Sequence, residues 1–144
     1  MKIIISILAI AFMCGNAYAQ ESPCTGAEAM EAEDSVSALK NWDDIYRSFK
    51  RFRHCDDGAI GEGYSDSVVW LLADRWSELK TLIRLTSSDK EFRSFVLRHI
   101  DATTDKSAIE KVIANTSKHC PESAKSSCSM IEEKAKKALR DFKE

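Results

Sequence analysis

Four carboxylates, Asp56, Asp57, Glu62 and Asp66, surround the glycines of Gly58-Ala59-Ile60-Gly61-Glu62-Gly63. Acidic groups this close can converge on a hard cation or divide acid and base roles between them. The spacing is not that of an EF-hand, whose carboxylates alternate through a loop ahead of its glycine. A simpler account also covers them, because acidic side chains collect ahead of a helix whose N-terminus is positive. The three histidines are His54, His99 and His119. His99 falls between Phe95 and Ile100 on an apolar stripe, the place of a satisfied core histidine. His54 and His119 fall in last helical turns, where the dipole favours positive charge. The nucleophile elbow G-x-S-x-G, the phosphate loop, the G-x-G-x-x-G fingerprint and H-E-x-x-H do not occur in the chain. Catalysis would have to rest on the Asp56 to Asp66 segment and a nearby histidine. The residues therefore favour a non-enzymatic protein that needs neither a metal nor a cofactor.

Two other groups suit binding. Arg47, Lys50 and Arg51 alternate with Tyr46, Phe49 and Phe52. On a helix the aromatics turn inward and the bases line another side, giving a solvated or docking face and no stacking platform for nucleic acid. Asp43 and Asp44 precede Arg47 by four and three residues and pair part of that charge. Trp70 points away from the Val68, Leu72, Leu79 and Ile83 stripe. Such a residue is either covered by the N-terminal segment, the expectation here, or exposed as an interface anchor. With the glycines read as a flexible loop, Asp56, Asp57, Glu62, Asp66 and Trp70 are the candidate binding residues.

The elements that must carry these groups are helices. Apolar residues recur every three or four positions over about 34–54, 65–86, 89–101, 105–119 and 123–142, and no segment sustains a period of two. Asp34, Asp89 and Asp105 are natural N-caps, and Pro121 ends the fourth helix. The expectation is an all-α, single five-helix bundle. Its domain spans 34–144, behind a leader of residues 20–33 and an export signal of residues 1–19.

That export signal consists of Lys2, the apolar run Ile3 to Met13 and the small-residue site Ala17-Tyr18-Ala19. The apolar run is shorter than the roughly 20 residues of a bilayer-spanning helix. Cleavage after Ala19 would release a chain starting at Gln20, placing the protein in the periplasm or outside the cell. The bulky Met13 before Cys14 argues against a lipoprotein signal. The net charge of −2 becomes −3 without Lys2, leaving no global basic field to attract nucleic acid. Cys24, Cys55, Cys120 and Cys128 remain, an even set that reads as two disulfides. If residues 34–54 form one helix, its ends lie roughly 30 Å apart and Cys24 cannot readily run back to Cys55. Two connectivities then survive: Cys55–Cys120 with Cys24–Cys128, which is favoured, or Cys55–Cys128 with Cys24–Cys120.

In size, export signal, paired cysteines and helical build, the mature chain resembles small periplasmic immunity and inhibitor proteins. The stretch from Cys55-Asp56-Asp57-Gly58 through Trp76 is also similar to exported proteins of Gram-negative bacteria, a likeness that carries no function. The first resemblance implies a protein partner, a toxin or lytic enzyme of the envelope, and leaves the oligomeric state open. An envelope stress or scaffold factor is the alternative expectation, and a hydrolase the third.

Overall fold

The computed structural model describes residues 23–142, so the export-signal reading of residues 1–19, Cys14 and the expected start at Gln20 lie outside the described residues. Seven α-helices follow one another: α1 (Gly26–Val36), α2 (Trp42–Phe52), α3 (Gly58–Asp74), α4 (Leu79–Ser88), α5 (Lys90–Arg98), α6 (Lys106–His119) and α7 (Lys125–Asp141). Single 3-10 turns lie at Arg53–Cys55, Trp76–Glu78 and Glu122–Ala124. The molecule is all-α with two disulfides, as expected. Among the described residues the helices number seven where five were expected, because the leader contains a helix and the second expected helix is two.

The helix in the leader begins with a capping box. The Thr25 hydroxyl accepts from Glu28 N–H at 3.3 Å while Glu28 accepts from Thr25 N–H at 3.0 Å, satisfying two end donors at once. Asp34, expected as an N-cap, lies inside α1. The next helix starts instead at Asn41, whose side chain accepts from Asp44 N–H at 2.9 Å. Residues 34–54 are therefore not one helix, and the disulfide expectation built on that length is overturned. The bonds are Cys24–Cys55 and Cys120–Cys128. At 11 residues each, α1 and α2 are both about 16 Å long. They run out and back as a hairpin, which brings Cys24 within 5.0 Å of Cys55, Cα to Cα.

The second expected helix breaks at Arg75 (φ −125°, ψ 36°). No proline or glycine explains this, and the cause lies on α6. The Asn115 amide donates at 2.9 Å to the carbonyls of Leu72 and Ala73, and Trp76 Nε1 donates to His119 O at 3.0 Å. With those partners in place, the end of α3 keeps its orphan acceptors satisfied without continuing as helix.

The glycines expected to form a loop are inside α3. Gly58 opens it at φ +52°, a conformation that side chains with a Cβ rarely adopt. Gly63 lies where α1 meets α3: a Cβ there would come within 2.8 Å of Val36 Cγ2. Adding a methyl should therefore clash with a stiff, branched side chain. Gly63→Ala is expected to lower stability by about 1–2 kcal/mol, overpacking outweighing the gain in helix propensity. In a Val36→Ala background, where the Cγ2 contact is gone and Cβ at 3.1 Å remains, the same change should cost less. Chemical denaturation of the two singles and the double measures the coupling, and simple additivity would refute the close approach.

Around this frame the core is continuous. Phe49, Tyr64, Phe92 and Phe95 are buried together, with Phe49–Phe95 and Tyr64–Phe95 ring centroids 4.9 Å apart. Trp42, Ile45, Val68, Leu72, Ile109, Val112 and Ala135 extend it to α6 and α7. A hydroxyl chain crosses it, Ser35 Oγ to Ser48 Oγ at 3.0 Å and Ser48 Oγ to Tyr64 Oη at 2.7 Å, tying α1, α2 and α3 together. Burial pushes the Tyr64 phenol up, against the Ser48 hydrogen bond and with the help of nearby Asp56.

Candidate functional site

The start of α3 and the end of α5 enclose a line of polar side chains. Asp57 caps α3, its carboxylate accepting from Gly58 N–H at 2.8 Å. Asp56 turns inward, its side chain 7% exposed, and accepts from Arg98 Nη2 at 2.7 Å. The same Oδ2 lies 3.1 Å from His99 Nε2. On the far side of the ring, His99 Nδ1 lies 2.9 Å from Ser65 Oγ, which donates to Asp101 Oδ2 at 3.0 Å. Ser65 has a single proton to give. Burial pushes the Asp56 carboxyl up, but hydrogen bonds and charge from His99 and Arg98 outweigh it and hold the group below the ordinary carboxylate range.

Serine, histidine and aspartate in contact are the residue types of an acyl-transfer triad. Here the residues serve the fold. Ser65 is 2% exposed and its proton goes to Asp101, so its oxygen is not activated by the imidazole, although Ser65 and His99 line the floor of an open pocket of about 330 Å³ with Asp56, Glu62 and Asp101. The chain of contacts fastens the C-terminal end of α5 to the first turns of α3, and His99 is the satisfied core histidine that its place on the stripe predicts.

Of the five candidate binding residues, Asp56, Asp57 and Glu62 line one open pocket at the start of α3, and Asp66 and Trp70 lie outside it. Glu62, Asp66 and Trp70 follow one another at intervals of four on the solvent side of α3, with Asp74 one turn further on. Trp70 was expected under the N-terminal segment, yet it is 38% exposed. The reason is register: α1 packs lower on α3, with Val36 at Gly63, two turns before Trp70. The Arg75 guanidinium lies 5.8 Å from the Trp70 ring and pairs with Glu78. Burial pushes the Asp66 carboxyl up, and the like charges of Glu62 and Asp101 push it further. Asp74 forms an ion pair with Lys111 at 3.1 Å.

The basic residues of α2 each have a local acidic partner. Arg47 pairs with Asp44 at 2.5 Å, Lys50 with Asp89 at 3.5 Å, and Arg51 with Glu31. His54 Nε2 lies 3.4 Å from Glu28. Glu28 is held below its ordinary range by the backbone N–H and side chain of Thr25 and, after a small opposing effect of burial, by His54. Among the described residues no group of three or more His, Cys, Asp or Glu side chains is arranged to hold a metal ion, and no helix is long and apolar enough to cross a membrane.

Reading the sequence missed Ser65, Arg98 and Asp101. A signal existed for Ser65, a hydroxyl between Tyr64 and Val68 on an otherwise apolar face, where a buried polar group demands a partner. Nothing in the spacing joins Asp101 to it. Comparison with family models, with curated proteins and with solved structures finds no match to this chain.

Proposed function

We propose that this protein is a non-enzymatic binding protein of the periplasm, of the immunity or inhibitor kind, and that the outer face of α3 docks on a basic surface of another protein. One observation carries the reading: a half-exposed tryptophan stands in an acidic row, Glu62, Asp66, Trp70 and Asp74, on a rigid helix. Aromatic anchors on rigid elements are where interface energy concentrates, and the row's charge selects a partner rich in Lys and Arg. Two disulfides suit an oxidising compartment.

Asp66 provides a test that separates binding from folding. Its carboxylate is penalised in the folded chain, so Asp66→Asn should leave the melting temperature at pH 7 unchanged or higher, and the difference should vanish below about pH 4, where the acid is protonated anyway. If the row binds a basic partner, the same substitution weakens capture from an envelope fraction. Trp70→Ala should weaken it by roughly thirtyfold, about 2 kcal/mol, with little loss of stability because the ring is half in water. A stable Asp66→Asn/Trp70→Ala double variant that retained full capture would remove this face from the function.

A further inference from the structure

A second feature lies between α2 and α5 and does not involve Trp70 or Asp66. Between α2 and α5 there is an open cleft of about 390 Å³, within the size range of small-molecule sites. Its floor is aromatic, Phe49 and Phe95. Its rim holds three cations, Arg53, Lys90 and Arg98, against two carboxylates, Glu91 on the rim and the buried Asp56 behind Arg98, so that displacing the exposed Glu91 leaves two net positive charges. The two guanidiniums are held in place beforehand. Arg53 Cζ lies 5.6 Å from the Phe49 ring centroid, and Arg98 Cζ lies 5.6 Å from that of Phe95. Arg98 is further tethered by the buried Asp56, and Arg53 by Glu91. Side chains already ordered by stacking and ion pairing lose little freedom when an anion arrives.

The balance of charge says what kind of anion. A single carboxylate would only exchange with Glu91, which is 70% exposed on its side chain and so held weakly. A ligand with two or more negative charges gains from all three cations. Tetrahedral phosphate oxygens can reach separate donors, whereas a planar carboxylate fills one guanidinium fork. We infer that this cleft is a binding site for a phosphate-bearing dianion, with Arg53, Lys90 and Arg98 as its donors. Such phosphate could belong to a soluble ester or to a lipid headgroup.

Pyrophosphate and lipid vesicles are the probes. Calorimetric titration of the whole mature protein with pyrophosphate at low salt should show saturable, one-site binding. Lys90→Glu, at an exposed position of α5, should weaken it at least tenfold. Lys118→Glu, an exposed position on α6 with the same change in net charge, should leave it within twofold. Co-sedimentation with phosphatidic acid vesicles, whose headgroup is a phosphomonoester, absent with phosphatidylcholine and lost in Lys90→Glu, would identify the headgroup as the source. Pyrophosphate binding without sedimentation would identify a soluble ester. Equal losses in the two variants would overturn the site, since net charge alone would then account for binding. It would equally be overturned if neither probe bound, or if a polyglutamate peptide bound there while pyrophosphate did not.

Discussion

Asp56→Ala is expected to destabilise the protein at pH 7 by about 3 kcal/mol, the lower end of the range for removing one partner of a buried ion pair. The lower end applies because Arg98 is 60% exposed and keeps its water, while His99, only 6% exposed, loses its Nε2 partner outright. Asp56→Asn, which keeps an acceptor toward the ring, should cost less. The sign of the pH dependence follows from the carboxyl's lowered folded pKa. Its contribution is fully present above the unfolded value, near pH 4, and is lost as pH falls through the folded value. The part of the gap between wild type and Asp56→Ala that comes from this carboxyl should therefore persist down to about pH 4 and close at lower pH. Guanidinium unfolding at pH 7 and pH 3 measures both. Identical midpoints at pH 7 would mean that the Asp56–His99–Ser65–Asp101 line contributes nothing to holding α5 on α3.

Removing Cys24–Cys55 should cost more than removing Cys120–Cys128. The bonds span 31 and 8 residues, for which loop-closure entropy gives about 3.5 and about 2.5 kcal/mol respectively. The larger loss has a structural expression. Freed from Cys55, α1 is held to α3 through Ala32 and Val36, and to α2 through Ser35 and the Arg51–Glu31 pair. Paired Cys→Ser variants compared by calorimetry should reproduce this order. Peptide mapping under non-reducing conditions should find Cys24 and Cys55 in one fragment and Cys120 and Cys128 in the other. A fragment joining Cys55 to Cys120 would contradict the α1–α2 hairpin.

That hairpin shows how far the chain could be read without its structure. The 3.6-residue recurrence of Phe49 and Phe52, of Val68 and Leu72, of Phe92 and Phe95, and of Ile109 and Val112 determined helices wherever one face could be buried, because periodic burial is a local property of sequence. Asp89 and Asp105 cap α5 and α6 as read, since an N-cap is satisfied within three residues. The Thr25–Glu28 box was equally local and could have revealed α1. What only the tertiary structure decided was wherever a distant group settled a local choice. Asn115, some forty residues away, takes the last carbonyls of α3 and so ends a helix that its own residues would have continued. Gly63, a residue of low helix propensity, sits in α3 where Val36 of α1 takes the space that a Cβ would fill. Four side chains from two distant stretches of chain, Asp56 and Ser65 with His99 and Asp101, became one line of hydrogen bonds, because a polar group taken out of water must find partners wherever the packing brings them.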